Sequence, residues 1–215
     1  LPTTAQDQSS RTTTYTYGTG GLSGVQYPGS TGNDIAVTYD GSQRVSGVTD
    51  ASGAWSYGYA DVGTTRTTTA TGPLSQVVTA VSDLTIGRAT SVDVAGDAWT
   101  FAYDSQNRLE RTTAPEGNYV EYEYDGYGNI DTTTYVDKTG PDPATDIVVE
   151  AAYGLTCSTL AVLCHRPTST TDARGNVTTY SWDTTHGGLL SVTGPVPASG
   201  EAQPETRYAY SQVYA

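Results

Sequence analysis

The sequence predicts an all-β fold built from tandem antiparallel β-hairpins, and three observations carry that prediction. An aromatic-x-aromatic signal, often closed by Asp, returns about every 24 residues along a chain of 215. Self-similarity at such a period marks a repeat architecture. Thr, Val and Tyr are abundant, with 17 Tyr in all, and these types fit a half-buried pleated surface. The strands they suggest are punctuated by 24 Gly and 10 Pro, which are turn residues. Helical periodicity is convincing nowhere.

Taken in order, the copies begin weakly at Tyr15-Thr16-Tyr17 and Val37-Thr38-Tyr39-Asp40. Clear copies follow at Tyr57-Gly58-Tyr59, Phe101-Ala102-Tyr103-Asp104, Tyr122-Glu123-Tyr124-Asp125, Tyr180-Ser181-Trp182-Asp183 and Tyr208-Ala209-Tyr210. A degenerate position near Val81 and an anchor at Tyr153 complete the series. Residues two apart on a strand share a face, so each copy puts two large side chains on one side. Early intervals are 20 to 22 residues and the last three are 28 to 29. A strand plus a turn takes about ten residues, so the short interval is a hairpin and the longer ones carry insertions. The first ten residues read as a lead-in. Residues 11–215 read as about nine degenerate repeats, with longer loops in 135–152 and 154–166.

Two turn patterns separate the strands. One is Tyr-Asp-x-x-x-Arg-Leu, clearest from Tyr103 to Leu109, with Asp40 and Asp183 in the same place. The other is Asp-x-x-Gly-Asn, as in Asp125 to Asn129 with Gly128 and Asp172 to Asn176 with Gly175. Gly accepts positive φ there, and Asp bonds its own backbone. Asp50 to Gly53 reads as the same turn, and Gly117-Asn118 as another.

These two patterns resemble the RHS/YD-repeat family, which includes bacterial Rhs toxins, the shell subunits of Tc toxins and animal teneurins. The resemblance covers roughly residues 11 to 210. It implies a long strip of sheet that spirals into a hollow shell. By this resemblance the hairpins form a curved, spiralling antiparallel sheet, a segment of shell wall. In the bacterial toxins such a shell encloses a cytotoxic C-terminal domain. Family shells are closed by a core segment with a DPxG-type motif and an aspartyl self-cleavage site. Here Asp142-Pro143 is followed by Ala144 and Thr145, so no cleavage residue carries over.

Composition narrows the function classes. The formal charge is -13, with ten Lys and Arg against 23 Asp and Glu. Nucleic-acid affinity comes mainly from cations meeting phosphates, and anionic membrane surfaces attract cations too. Neither partner fits. No apolar run approaches the roughly 20 residues needed to span a bilayer. The chain lacks Met and begins at Leu1, which suggests a processed product or a piece of something longer.

Candidate chemistry is sparse. Asp40, Asp104, Asp125 and Asp183 read as turn caps after strands rather than as catalytic acids or calcium ligands. Glu121 and Glu123 are out of phase with Tyr122 and Tyr124, which puts them on the solvent side rather than in a glycosidic acid pair. Cys157 and Cys164 are the only cysteines, and an even count in an exported chain suggests a disulfide. Two free thiols, or a metal site with His165, are the alternatives. Asp137, Asp142 and Asp146 read as a solvated loop rather than a calcium site. The Asn176-Val177-Thr178 sequon sits inside the turn pattern, which explains it without a glycan. No nucleophile and base are paired, and no cofactor or metal is expected.

The expected function is a non-catalytic scaffold in a larger secreted or cell-surface bacterial protein, within a shell enclosing a toxin. Its expected partners are other YD-repeat segments of the same parent, copies of itself, and an enclosed cargo domain. The alternatives are an extracellular adhesin or carbohydrate- or protein-binding module, with Trp55, Tyr119 and Tyr127 as outward rings, and a self-assembling β-repeat whose open edges template strand addition.

Overall fold

The computed structural model describes residues 1–154, 157, 159–197 and 201–211. Among them the chain is all-β, with eighteen strands and one short 3-10 turn, Ala161–Leu163. Among the described residues no helix is long and apolar enough to cross a membrane. The contacts divide the chain into two compact units, Leu1–Thr100 and Phe101–Ala215.

The first unit contains β1 (Thr4–Gln6), β2 (Thr12–Gly18), β3 (Gly21–Gln26), β4 (Ile35–Tyr39) and β5 (Val45–Asp50). It continues with β6 (Gly53–Val62), β7 (Thr65–Thr71), β8 (Val77–Asp83), β9 (Arg88–Val94) and the start of β10 (Asp97–Tyr103). Each strand pairs antiparallel with the next in sequence. The second unit holds β11 (Leu109–Thr113), β12 (Tyr119–Tyr124), β13 (Ile130–Val136) and β14 (Ile147–Tyr153). After them come β15 (Pro167–Thr171), β16 (Val177–Trp182), β17 (Leu189–Thr193) and β18 (Glu205–Arg207). These too pair antiparallel in sequence order.

Four expectations need correcting. The first ten residues are not a lead-in, because Thr4–Gln6 pairs with β2 through Gln6 opposite Thr12. The insertion placed at 135–152 narrows to residues 137–146, since strands claim both ends. Tyr208 and Tyr210 follow the last strand rather than lying in it, because the paired register with β17 ends at Arg207 and only the Tyr208 amide still reaches β17, donating to the Leu190 carbonyl at 2.8 Å. They are correspondingly open, at 46% and 56% exposure. Trp55 is not an outward ring. It lies on one strand two residues from Tyr57 and four from Tyr59, and all three are half-buried while their neighbours are exposed.

The sheet has an aromatic face and a polar face in each unit. Along β2 and β16 the alternation is strict, with Tyr15, Tyr17, Tyr180 and Trp182 half-buried between exposed neighbours. Cross-strand pairs extend the apolar side, as in Tyr15 opposite Val25 and Trp55 opposite Val48. In the second unit Tyr122 faces Thr133, whose strand neighbour Tyr135 faces Ile147. Glu121 takes the other side, opposite Arg111 and ion-paired with it.

There is almost no core. Only Val25, Ala114 and Val136 are buried apolar residues among those described, and no large side chain is fully buried. Stability must therefore come from half-buried ring pairs and from the backbone ladder, summed between neighbours. Tyr122→Ala is expected to cost about 2 kcal/mol, at the low end for a large-to-small change because the ring is half-exposed. Glu123→Ala, on the open face, should cost under ~0.5 kcal/mol. Chemical denaturation of both variants checks the assignment of faces, and equal losses would contradict it.

Candidate functional site

The side chains that recur do so at the turns, and they form one device. Asp40 to Arg44 shows it. The Asp40 amide donates to the Arg44 carbonyl at 2.8 Å, and the Gln43 amide donates back to the Asp40 carbonyl at 3.0 Å. The Asp40 Oδ1 accepts from the amides of Ser42 and Arg44, and Oδ2 accepts from the Arg44 Nε at 2.8 Å. Gln43, at the fourth position, sits at φ 62°. One carboxylate thus satisfies two turn amides and the side chain that closes the loop.

The same five-residue turn recurs at Asp7 to Arg11 and at Asp104 to Arg108, with Arg Nε to Asp Oδ2 distances of 2.7 and 2.6 Å. At Asp125 to Asn129 and Asp172 to Asn176 the fifth residue is Asn, whose Nδ2 reaches Oδ2 at 2.7 and 2.9 Å. Gly128 and Gly175 take the fourth position there, at φ 86° and 78°. The two sequence patterns are therefore a single turn with interchangeable closing residues.

Two variants lack the Asp. In Gly72 to Gln76 the same backbone bonds form, and the Gln76 Oε1 takes the place of the carboxylate by accepting from the Leu74 amide at 3.0 Å. Ala114 to Asn118, with Gly117 at the fourth position, keeps the backbone bonds alone. Asp183 opens a turn one residue longer, closed by its amide donating to the Gly188 carbonyl at 2.8 Å. Asp50 and Gly53, read as the same turn, are instead directly paired across a two-residue hairpin. Ala51-Ser52 leaves no room for a fifth closing residue.

These contacts hold the carboxylates charged. For Asp40 and Asp104 the backbone amide of the closing Arg is the largest influence lowering the pKa, with the Arg side chain adding to it. For Asp172 the Asn176 side chain leads. Asp183 is lowered mainly by the His186 amide. Burial pushes Asp125 upward, and the Asn129 side chain and backbone outweigh it.

Next to many of these turns the ladder is bulged. The register slips at Thr16/Tyr17, Thr38/Tyr39, Glu123/Tyr124, Ala152/Tyr153 and Ser181/Trp182, each time just before the anchor aromatic. It also slips at Val81/Ser82, the degenerate position. A bulge re-aims the side chain that follows it. At Tyr39, Tyr124 and Trp182 the ring after the bulge reaches across the preceding hairpin, and Tyr59 does so without one.

The ring then clips that hairpin shut. Tyr39 Oη donates to the Leu22 carbonyl at 2.8 Å, Tyr59 to Val45 at 2.8 Å, and Tyr124 to Leu109 at 2.7 Å. Trp182 Nε1 donates to the Pro167 carbonyl at 2.7 Å, and Tyr210 Oη to Leu189 at 3.0 Å. The Arg just before the accepting residue lies over the same ring. Arg44 sits 4.4 Å from the Tyr59 centroid, Arg108 4.3 Å from Tyr124, and Arg166 5.1 Å from Trp182. One Arg can thus close its own turn through Asp and bind the ring of the next repeat. Burial raises the pKa of Tyr124, which keeps its hydroxyl a donor. Tyr59→Phe should lose about 1 kcal/mol, the net value of one such bond, with unchanged circular dichroism; no loss on denaturation would remove the clip at this position.

The remaining expected residues fall as follows. Phe101 and Tyr103 are half-buried on β10. Cys157 and Cys164 form a disulfide. Asp137 caps its own loop through the Thr139 amide, and Asp142 accepts from the Ala144 amide. Among the described residues no group of three or more His, Cys, Asp or Glu is placed to hold a metal ion. Tyr119 lies opposite the Tyr122 side under Arg111, and Tyr127 is exposed at a turn tip. The closing side chains, the bulges and the ring-to-carbonyl clips are not evident in the repeat motif itself, although the recurring Arg, Asn or Gln four residues after the turn start could have signalled them.

Comparison with known proteins adds three findings. The RHS repeat family model matches residues 85–119. The fold matches a structure of the Photorhabdus luminescens Tc holotoxin pore carrying a TccC3 mutation, with 17% identity and a TM-score of 0.52, over 97% of this chain and 12% of that one. It also matches a crystal structure of TcdB2-TccC3-TEV, with 16% identity and a TM-score of 0.53, over 98% of this chain and 12% of that one. At these identities the likeness is one of fold. No curated protein matches the chain.

Proposed function

We propose that this chain, a segment of RHS/YD repeats, serves as non-catalytic wall in a larger shell. The observation that carries the proposal is the way the sheet is held. Ring-to-carbonyl clips and capped turns fasten neighbouring strands without a buried core. An element built this way can extend strand by strand, and it leaves one aromatic face uncovered in each unit. The recurrent carboxylates support the structural role as well, since their own turns engage them.

Further repeats of the same parent, or copies of this chain, would complete the wall. A cargo domain would lie against the aromatic face. The setting would be a secreted or cell-surface bacterial protein, in keeping with the acidic surface and the Cys157–Cys164 disulfide.

A binding module is the second reading, and exposed rings favour it. Trp99, Tyr127 and Tyr135 are 44%, 44% and 48% exposed. The native mass of the purified chain separates the two. A wall segment whose edges and aromatic face seek partners should run well above 22.6 kDa. A stable monomer that binds a sugar or protein would favour the binding module instead.

A further inference from the structure

In the connection from β14 to β15, residues 162–165 do something the five-residue turns do not. They touch two other turns of the second unit. On one side the Asn129 Nδ2 donates both to its own Asp125 Oδ2 at 2.7 Å and to the Cys164 carbonyl at 3.1 Å, 35 residues away. The Asn129 Oδ1 lies 2.5 Å from the His165 Nδ1. On the other side Gly187 is buried against the Val162 carbonyl, which a Cβ there would meet at 3.0 Å.

A control for this contact lies in the same unit. Asn176 holds the equivalent place in the Asp172 turn and bonds Asp172 in the same way, yet it is exposed. Asn129 is 7% exposed and is the one buried polar residue among those described. The loop is what covers it.

Among the described residues, the loop meets these two turns through one amide–carbonyl bond, one imidazole–amide contact and one close packing. A free connection of this length gains conformational entropy by leaving the surface. The disulfide from Cys157 to Cys164, seven residues apart, removes much of that freedom by closing a ring. The ring places the Cys164 carbonyl and His165 directly at its end, facing Asn129.

We propose that the Cys157–Cys164 disulfide is a thiol-sensitive latch. Oxidised, it holds the 160–165 stretch against the Asp125 and Asp183 turns together. Reduced, it frees the loop, and both turns lose a partner. A dithiol supplies the chemistry: its thiolate attacks one Sγ, the S–S bond breaks, and its second thiol resolves the mixed disulfide. Two electrons and two protons pass to the cysteines, and the reductant leaves as its own disulfide. The bond from the Trp182 Nε1 to the Pro167 carbonyl joins β16 to β15 and stays in place.

Amide hydrogen exchange on the whole chain, with and without dithiothreitol, tests this. On reduction the amides of Asn129, Cys164 and Gly187 should exchange about tenfold faster or more, as expected for local opening. The amides of Arg44 and Asn176, in like turns that the loop does not touch, should change less than about twofold. The double variant Cys157→Ser/Cys164→Ser should show the fast rates without reductant and no further response to it. Unchanged rates at Asn129 and Gly187, once mass confirms reduction, would overturn the latch. So would equal acceleration at every turn, which would make the disulfide a general stabiliser.

Discussion

Trp182→Ala is expected to destabilise the Phe101–Ala215 unit by about 3 kcal/mol, the low end of the range for losing a large core ring. Three contacts go at once. The ring is half-buried and stacks with Tyr180 at 6.3 Å between centroids. Its Nε1 donates to the Pro167 carbonyl, and Arg166 lies over its face. Trp182→Phe should recover most of the loss and leave about 1 kcal/mol for the missing donor. Tyr208→Ala, at an exposed ring outside the strands, should cost well under 1 kcal/mol. Urea unfolding followed by circular dichroism ranks the three. A Trp182 loss no larger than that of Tyr208 would show that the clips contribute little.

The second large effect is a collective loss of stability in acid. Asp7, Asp40, Asp104, Asp125, Asp172 and Asp183 all have lowered pKa values in the folded chain. Once unfolded they titrate near the ordinary value of about 3.9. The unfolded chain therefore takes up protons first as pH falls. The stabilisation is complete above about pH 5 and is lost as pH drops through the lowered folded values. The melting temperature should be flat from pH 7 to about 5 and fall steeply below about 4. The double variant Asp40→Asn/Asp104→Asn should melt lower at neutral pH and lose less on acidification, because two of the linked groups no longer titrate. A melting temperature independent of pH down to about 2 would contradict the capped turns.

The strands and their faces were legible in the sequence because they rest on a period of two. Tyr122 and Tyr124 alternate with Glu121 and Glu123, and the structure gives Glu121 an Arg partner on the opposite side. The capped turns were half legible. Asp at the first position stood out, while the residue four later was read as part of two unrelated patterns. Gly72 to Gln76 escaped because its acceptor had moved from the first side chain to the last.

The clips were hidden for a different reason. Tyr124 needs a backbone carbonyl fifteen residues back, and any residue type can supply a carbonyl. The lead-in was misread because β1 has no aromatic pair, although Asp7 and Arg11 carry the turn. The covered Asn129 could not be seen at all, since it depends on a loop folding back over 35 residues.

The most direct test of the wall assignment is an electron cryo-microscopy map of a longer parent chain that contains this segment. The expected map shows these strands continuing edge to edge into neighbouring repeats, with Tyr122, Tyr180 and Trp182 turned toward an enclosed space and Glu121 and Glu123 toward bulk solvent. A map in which the aromatic face meets bulk solvent or an outside receptor, with no enclosed space behind it, contradicts the assignment.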